Sequence, residues 1–176
     1  PDSPFKYYYV SPCFRYERPQ KGRMRIHHQF GIEVLGDKTP YIDAEVIGLG
    51  LTFVRTLGLN DLKVLVNTLG DQESRQAYKE ALKKHFEADI HTMCGDCQRR
   101  YEQNPLRILD CKVDHDHECM KNAPKMSDYL NEASQEYFNT VCELLDKLEI
   151  PYEVDDKLVR GLDYYTHTVF EIVSMN

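Results

Sequence analysis

Three stretches of this 176-residue chain concentrate side chains that could do chemistry. The first is Ile26-His27-His28-Gln29-Phe30-Gly31-Ile32-Glu33-Val34-Leu35. Its β-branched and aromatic content predicts a strand. Side chains alternate between the faces of a strand, so His28, Phe30, Ile32 and Val34 share one face. His27, Gln29, Gly31, Glu33 and Leu35 share the other. Gln29 and Glu33, four apart with a glycine between them, make a small polar floor over which a ligand can approach the backbone. The plainer reading is a solvent-facing sheet surface. The second stretch is Phe14-Arg15-Tyr16-Glu17. In extended form Arg15 and Glu17 point one way, Phe14 and Tyr16 the other. If this segment pairs with the first as a hairpin, Arg15 faces the same side as Gln29 and Glu33. A guanidinium there suits phosphate oxygens, because it is planar, permanently charged and rich in donors; a surface ion pair is the ordinary alternative. The third stretch is Leu158-Val159-Arg160-Gly161-Leu162-Asp163-Tyr164-Tyr165-Thr166-His167-Thr168. It reads as a shaped turn entering a strand. On extended chain Tyr164 and Tyr165 point to opposite faces, so at most one meets a given ligand.

A separate cluster lies in the middle of the chain. Cys94-Gly95-Asp96-Cys97 is followed by Cys111, His115, His117 and Cys119. A Cys-x-x-Cys pair with later Cys or His ligands has the composition of a tetrahedral zinc site. The most economical set is Cys94, Cys97, Cys111 and Cys119, with His115 or His117 as substitutes. Four protein ligands would close the site and make the zinc structural. Free thiols in a reducing compartment are the competing reading.

The elements that must position these residues can be read from periodicity. Tyr7 to Val10 is a strand that Pro12 interrupts or marks as an edge. The segment 18–23 is a loop with Pro19 and Gly22 as punctuation, so the two strand runs form an antiparallel hairpin with a basic tip. Ala44, Ile47, Leu51 and Val54 predict a largely buried helix over 41–57, stopped at Gly58. Asp61 to Asn67 alternates as a strand. Asp71 caps a helix whose face is Ala77, Tyr78, Ala81, Leu82 and Phe86. A second helix is expected over 127–148, capped by Ser127, with Leu130, Ala133, Tyr137, Val141, Leu144 and Leu148 as its stripe. Strands return at 152–154 and 168–173. A β-rich layer interrupted by a helical block predicts an α+β fold: residues 1–70 and 156–176 as two parts of one core, with 71–155 as a helical insertion.

Composition narrows the function classes. The net charge is −7, which argues against a protein that grips nucleic acid with its whole surface. Local basic clusters remain at Arg15, Arg18, Lys21, Arg23 and Arg25 and at Gln98-Arg99-Arg100, where a solvated face is the usual meaning. No apolar run reaches the roughly 18–20 residues that span a bilayer, and no secretory signal is visible. No membrane partner is expected. The expected location is cytoplasmic.

The stretch from Phe14 to Arg23 together with Gln29 to Glu33 resembles motif 2 of class II aminoacyl-tRNA synthetases in its histidine-specific form. Val159-Arg160-Gly161-Leu162-Asp163-Tyr164-Tyr165 resembles the histidine-specific signature of the same family, and Asn104 to Asp110 and Ala123-Pro124 resemble its insertion module. The resemblance to histidyl-tRNA synthetases covers essentially the whole chain. It implies a partial antiparallel sheet of the class II core and a two-step reaction. Histidine and ATP, with Mg²⁺, give histidyl-adenylate and pyrophosphate; the histidyl group then passes to tRNA(His). It implies that Arg15 holds the α-phosphate, Arg23 the β/γ end and Glu17 the adenine side. It implies that Gln29, Glu33, Arg160, Tyr164 and Tyr165 bind histidine, and that Arg160 also supplies positive charge at the α-phosphate from the other side. Arg15 and Arg160 are then the catalytic pair. Arg99, Arg100 and Arg107 are candidates for touching the tRNA acceptor arm. The family's motif 1, which builds a homodimer interface, its motif 3 and its anticodon-binding domain have no counterpart in these residues, so the chain by itself is expected not to charge tRNA. Two other functions compete. One is the synthetase-like regulatory subunit of ATP phosphoribosyltransferase; the other is a zinc-stabilised nucleic-acid-binding module read from residues 91–119 alone.

Overall fold

The computed structural model describes residues 4–16, 18–160 and 164–175. The first two strands, β1 (Phe5–Phe14) and β2 (Ile26–Leu35), pair antiparallel from Phe5↔Leu35 to Phe14↔Ile26. Pro12 lies inside β1, opposite His28. Arg15 N donates to Arg25 O at 2.8 Å, so the odd-numbered pairs are the hydrogen-bonded ones. Pro12 therefore falls where an N–H would point away from β2, and the strand runs through it. The hairpin tip closes with two backbone bonds between Gln20 and Arg23, at 3.1 and 2.8 Å.

Helix α1 (Pro40–Thr56) starts on proline, which is preset for the first helical position. It buries Ala44, Ile47 and Leu51. Phe53 of α1 stacks on Phe30 of β2 with ring centroids 4.3 Å apart, and Lys6 Nζ lies 2.5 Å from Glu45. The even-numbered face of β2 thus rests on α1, as alternation predicts.

A second, mixed sheet has the order β4-β3-β5. Strand β3 (Leu62–Thr68) is central; β4 (Tyr152–Val154) pairs with it parallel and β5 (Thr168–Ser174) antiparallel. The β3–β5 ladder extends beyond the strands, through Leu69 N to His167 O and His167 N to Gly70 O, both 2.8 Å. Both residues at this crossing sit at positive φ, Gly70 at 60° and His167 at 54°. A side chain on Gly70 would collide with Ser74, Met126 and Leu130, so only glycine fits the turn from sheet to helix.

Helix α2 (Gln72–Phe86) follows, capped by Asp71, whose Oδ1 accepts from Ser74 N at 2.8 Å. Its buried face is Ser74, Tyr78, Leu82 and Phe86, while Ala77 is exposed. Then come α3 (Gly95–Gln103), the single turn α4 (Glu118–Lys121) and α5 (Glu132–Lys147). The expected start of the last helix at Ser127 is corrected. Met126–Tyr129 is a 3₁₀ turn, Leu130 is extended, and Asn131 is the cap. Asn131 wins because its Oδ1 accepts from Ser134 N at 2.9 Å while its Nδ2 donates to Asp71 Oδ2 at 2.7 Å. The buried face of α5 is Ser134, Phe138, Val141 and Leu145, rotated from the expected stripe; Ala133 and Leu148 are exposed.

Two apolar cores result. One joins α1, β3 and α5 through Ile47, Leu51, Val64, Val66, Val141 and Leu145. The other gathers Tyr78, Leu82, Phe86, Met93, Ile108 and Met126 around α2 and the turns after it, and takes in Leu158 and Val169. Among the described residues no helix is long and apolar enough to cross a membrane.

Candidate active site

The hairpin register brings the odd-numbered residues to one face, turned away from α1. Tyr7, Tyr9, Ser11 and Cys13 stand opposite Glu33, Gly31, Gln29 and His27. Arg15 stands opposite Arg25, at the same face. Gln29 Nε2 donates to Tyr9 Oη at 2.9 Å. The Tyr9 ring lies directly over Gly31, where any Cβ would run into it. The open backbone expected at Gly31 is thus covered by this chain's own tyrosine. Tyr9 is the residue that sequence reasoning missed. Its position follows from the pairing rule once Phe14 is set against Ile26, because Tyr9 then falls opposite Gly31. Arg15 is half-buried, and its Nε is buried with no hydrogen-bond partner among the described residues. Such a donor is costly unless an acceptor reaches it. Gln29 and Glu33 are exposed, and Arg23 stands exposed on the hairpin tip. Glu17 lies outside the described residues.

The third stretch forms a different surface. Arg160 Nη1 donates to Glu171 Oε1 of β5 at 2.9 Å. Arg160 lines a hollow with Tyr165, Thr168, Val169 and Phe170. Tyr165 also walls an adjoining hollow made by Ile32, Val34, Ile42, Asp43 and Phe170. Its carbonyl accepts from the Arg75 guanidinium of α2. The expectation that the two tyrosines point to opposite faces is corrected: their rings stack, 4.9 Å apart at 29°. Tyr164 sits in a turn, where alternation does not apply. Gly161, Leu162 and Asp163 lie outside the described residues. Arg15 lines neither hollow, and the wall that β2 gives to the second one is its even face, Ile32 and Val34. Tyr165 thus lies beside the α1-facing side of β2, whereas Arg160 is paired to Glu171, which alternates with Phe170 and Ile172 packed toward α1; Arg160 therefore sits on the face of β5 turned away from α1, as Arg15, Gln29 and Glu33 sit on that face of the hairpin.

Behind the second hollow, Asp43 of α1 accepts from Tyr137 Oη of α5 at 3.0 Å, and Tyr137 stacks on His167 at 4.4 Å. Burial raises the Asp43 carboxyl above its ordinary value, against the hydrogen bond from Tyr137 and the nearby His167. Burial also raises the Tyr137 phenol.

The cysteine cluster is built from Cys94, Cys97, Cys111 and Asp114, whose ligand atoms all lie within 4.8 Å of one another. Cys94 caps α3 and Cys97 lies in its first turn. Cys94 Sγ is 3.7 Å from Cys111 Sγ. Asp114 Oδ2 accepts from Cys94 N at 3.0 Å, and Asp114 N donates to Cys111 Sγ at 3.4 Å. Burial works to raise the Asp114 carboxyl, but hydrogen bonds from the cysteines hold it down at about 2. Three of the four expected sulfurs come together. Cys119 does not join them; its Sγ lies 3.0 Å from His117 Nδ1 and 3.9 Å from Met93 Sδ. His115 is exposed, with Nδ1 2.9 Å from Lys112 O.

Comparison with known proteins gives the family. A family model described as histidyl-tRNA synthetase matches residues 1–176. The histidine–tRNA ligase of Bacillus subtilis (strain 168) is 58% identical over 174 residues, which is 99% of this chain and 41% of that protein; that of Geobacillus sp. (strain WCH70) is 56% identical over the same span. The chain thus spans about two-fifths of the curated relatives it matches. Among solved structures, the apo histidyl-tRNA synthetase of S. aureus superposes with a TM-score of 0.74 at 45% identity, over 98% of this chain and 39% of that one. A protein from Bacillus halodurans C, titled an ATP phosphoribosyltransferase regulatory subunit/histidyl-tRNA synthetase, superposes with a TM-score of 0.62 over 99% of this chain and 49% of that one. At 20% identity that likeness shows the fold alone. With a family match over its full length and an α+β core like that of a class II enzyme, the chain belongs to the histidyl-tRNA synthetase family.

Proposed function

We propose that this chain is part of the catalytic core of a histidine–tRNA ligase, acting in the cytoplasm within a larger, homodimeric protein. The histidine carboxylate attacks the α-phosphorus of ATP and pyrophosphate leaves; a hydroxyl at the 3′ end of tRNA(His) then takes the histidyl group from the adenylate, and AMP leaves. Such in-line chemistry needs placement and charge stabilisation more than covalent help. Arg15 holds the α-phosphate, Arg23 reaches the β/γ end from the hairpin tip, and Glu17 lies toward the adenine. Gln29 and Glu33 take the histidine, with Tyr164 and Tyr165 toward its imidazole. Arg160 faces the α-phosphate from the histidine side, which requires it to leave Glu171. Mg²⁺ would accompany the triphosphate and offset its charge. In this reading residues 71–155 are the insertion within a core formed by 1–70 and 156–176. The separate apolar cluster around α2 supports that division for its first part, whereas α5 and β4 share the core of α1 and β3.

The observation that carries the proposal is a guanidinium whose Nε lacks an acceptor among the described residues, set on the same hairpin face as Gln29, Gly31 and Glu33. A regulatory subunit would keep the fold without charging tRNA. The test replaces the matching segment of the Bacillus subtilis enzyme with residues 1–176. The hybrid is expected to support histidine-dependent ATP–pyrophosphate exchange and charging, and Arg15→Ala in it to lower kcat by about 10²–10³-fold. A folded hybrid that binds histidine but neither exchanges pyrophosphate nor charges tRNA would sink the ligase reading.

A further inference from the structure

We propose that Cys94, Cys97, Cys111 and Asp114 bind one Zn²⁺ as a closed structural centre, with Cys119 outside it. The proposal stands apart from the ligase reading, because none of these residues belongs to the hairpin or to the Arg160 surface.

The geometry is that of a single ion. Four donor atoms lie within 4.8 Å of one another. A tetrahedral zinc with Zn–S bonds of about 2.3 Å sets its sulfurs roughly 3.8 Å apart, and Cys94 Sγ and Cys111 Sγ are 3.7 Å apart. A disulfide would need about 2.05 Å, and a third thiol at the same point has no use in one. Three soft sulfurs and one carboxylate select zinc over magnesium or calcium, which prefer all-oxygen shells. The second shell is in place as well. Asp114 Oδ2 is oriented by Cys94 N at 3.0 Å, and Cys111 Sγ accepts from Asp114 N at 3.4 Å. Backbone donors of this kind stabilise thiolates and fix ligand orientation. Cys97 and Cys111 are buried and the other two ligands half-buried, which leaves little room for a catalytic water.

Cys119 is excluded by position. It is the second residue of the short helix α4 and lies against His117 and Met93. The choice of Asp114 over Cys119 is also economical in chain. Asp114 is three residues from Cys111 and already hydrogen-bonded to it. The ion would tie the first turn of α3 to the stretch 109–117, which has turns and bends but no regular element. That stretch carries Lys112, Val113, His115 and Asp116 exposed to solvent. Metal binding then becomes part of the folding free energy of this region.

The experiment uses the 176-residue chain purified under reducing conditions. About one equivalent of bound Zn²⁺ is expected. The metal-free chain should take up Co²⁺ with visible bands of a tetrahedral site and near-ultraviolet thiolate charge transfer. Asp114→Cys adds a fourth thiolate and should raise that charge-transfer absorbance by about a third. Cys119→Ser should leave metal content and spectrum unchanged, and Cys111→Ser should weaken Zn²⁺ binding at least about tenfold. If Cys111→Ser fails to fold, the native chain, Asp114→Cys and Cys119→Ser still decide. The proposal is overturned by less than about a tenth of an equivalent of Zn²⁺ with no Co²⁺ spectrum. Loss of metal in Cys119→Ser, with no change in Asp114→Cys, would also overturn it, and so would a Cys94–Cys111 disulfide in the freshly purified chain.

Discussion

Single residues in this chain carry conflicts that their neighbours resolve. The Arg15 Nε is buried without an acceptor among the described residues, a cost that an anion bound there would remove. Asp43 shows the opposite sign of strain. Burial raises its carboxyl above the ordinary 3.8, so the folded state holds that proton more tightly than the unfolded chain. Its contribution to stability is present at low pH and lost as pH rises from 3.8 through the folded value. Asp43→Asn keeps an acceptor for Tyr137 but removes the ionisation. The variant is expected to gain stability relative to the parent between pH 4 and pH 7, measured as urea midpoints at both. Equal differences at the two pH values would show that the carboxyl is not strained. Tyr9 and Gly31 illustrate a third case. A side chain at Gly31 would have to push the Tyr9 ring aside, and no turn is involved.

At the scale of elements, the helix starts at 71 and 131 form one reciprocal unit. Asp71 caps its own helix through Ser74 N, and Asn131 caps the other through Ser134 N. Each cap also uses the other helix: Asp71 N donates to Ser134 Oγ at 3.1 Å, and Asn131 N donates to Ser74 Oγ at 3.0 Å. Ser74 and Ser134 are 2% and 1% exposed, so these bonds are out of reach of water. Removing a cap typically costs about 1 kcal/mol, and removing one partner of a buried pair costs about 1–3 kcal/mol. Asp71→Ala and Asn131→Ala should each lower stability by roughly 1–3 kcal/mol, and the double variant by less than their sum. Additivity in chemical denaturation would show the two helix starts to be independent. The backbone N–H of Ser74 and the Asn131 amide also hold the Asp71 carboxyl below its ordinary value. That stability is present above 3.8 and is lost as pH falls through the folded value.

Across the whole molecule, the candidate active-site residues come from two sheets, with α1 packed against both. Arg15, Gln29 and Glu33 lie on the hairpin face away from α1, Arg160 is held by Glu171 on the face of β5 away from α1, and Tyr165 lines the hollow between the two sheets. Adenylate formation needs positive charge on both sides of one phosphorus. The 176 residues alone are therefore expected to show no histidine-dependent ATP–pyrophosphate exchange under conditions where the hybrid enzyme is active. Turnover by the isolated chain would mean that the two sheets hold Arg15 and Arg160 on one phosphate without further chain.

Sequence by itself determined β2 to the residue, the hairpin, the α1 stripe and the Asp71 cap. These depend on alternation, 3.6-residue periodicity and local hydrogen bonding, all of which act within about ten residues. It also placed Arg15 with Gln29 and Glu33, because strand pairing preserves facing. Tertiary structure alone decided the rest. Asn131 displaced Ser127 as a cap because its partner, Asp71, lies 60 residues away in sequence. Asp114 stood in for Cys119 because the fold after α3 carries Cys119 toward Met93. The tyrosines stacked because Tyr164 lies in a turn. Contacts between distant segments depend on how two cores pack, and no local pattern encodes that.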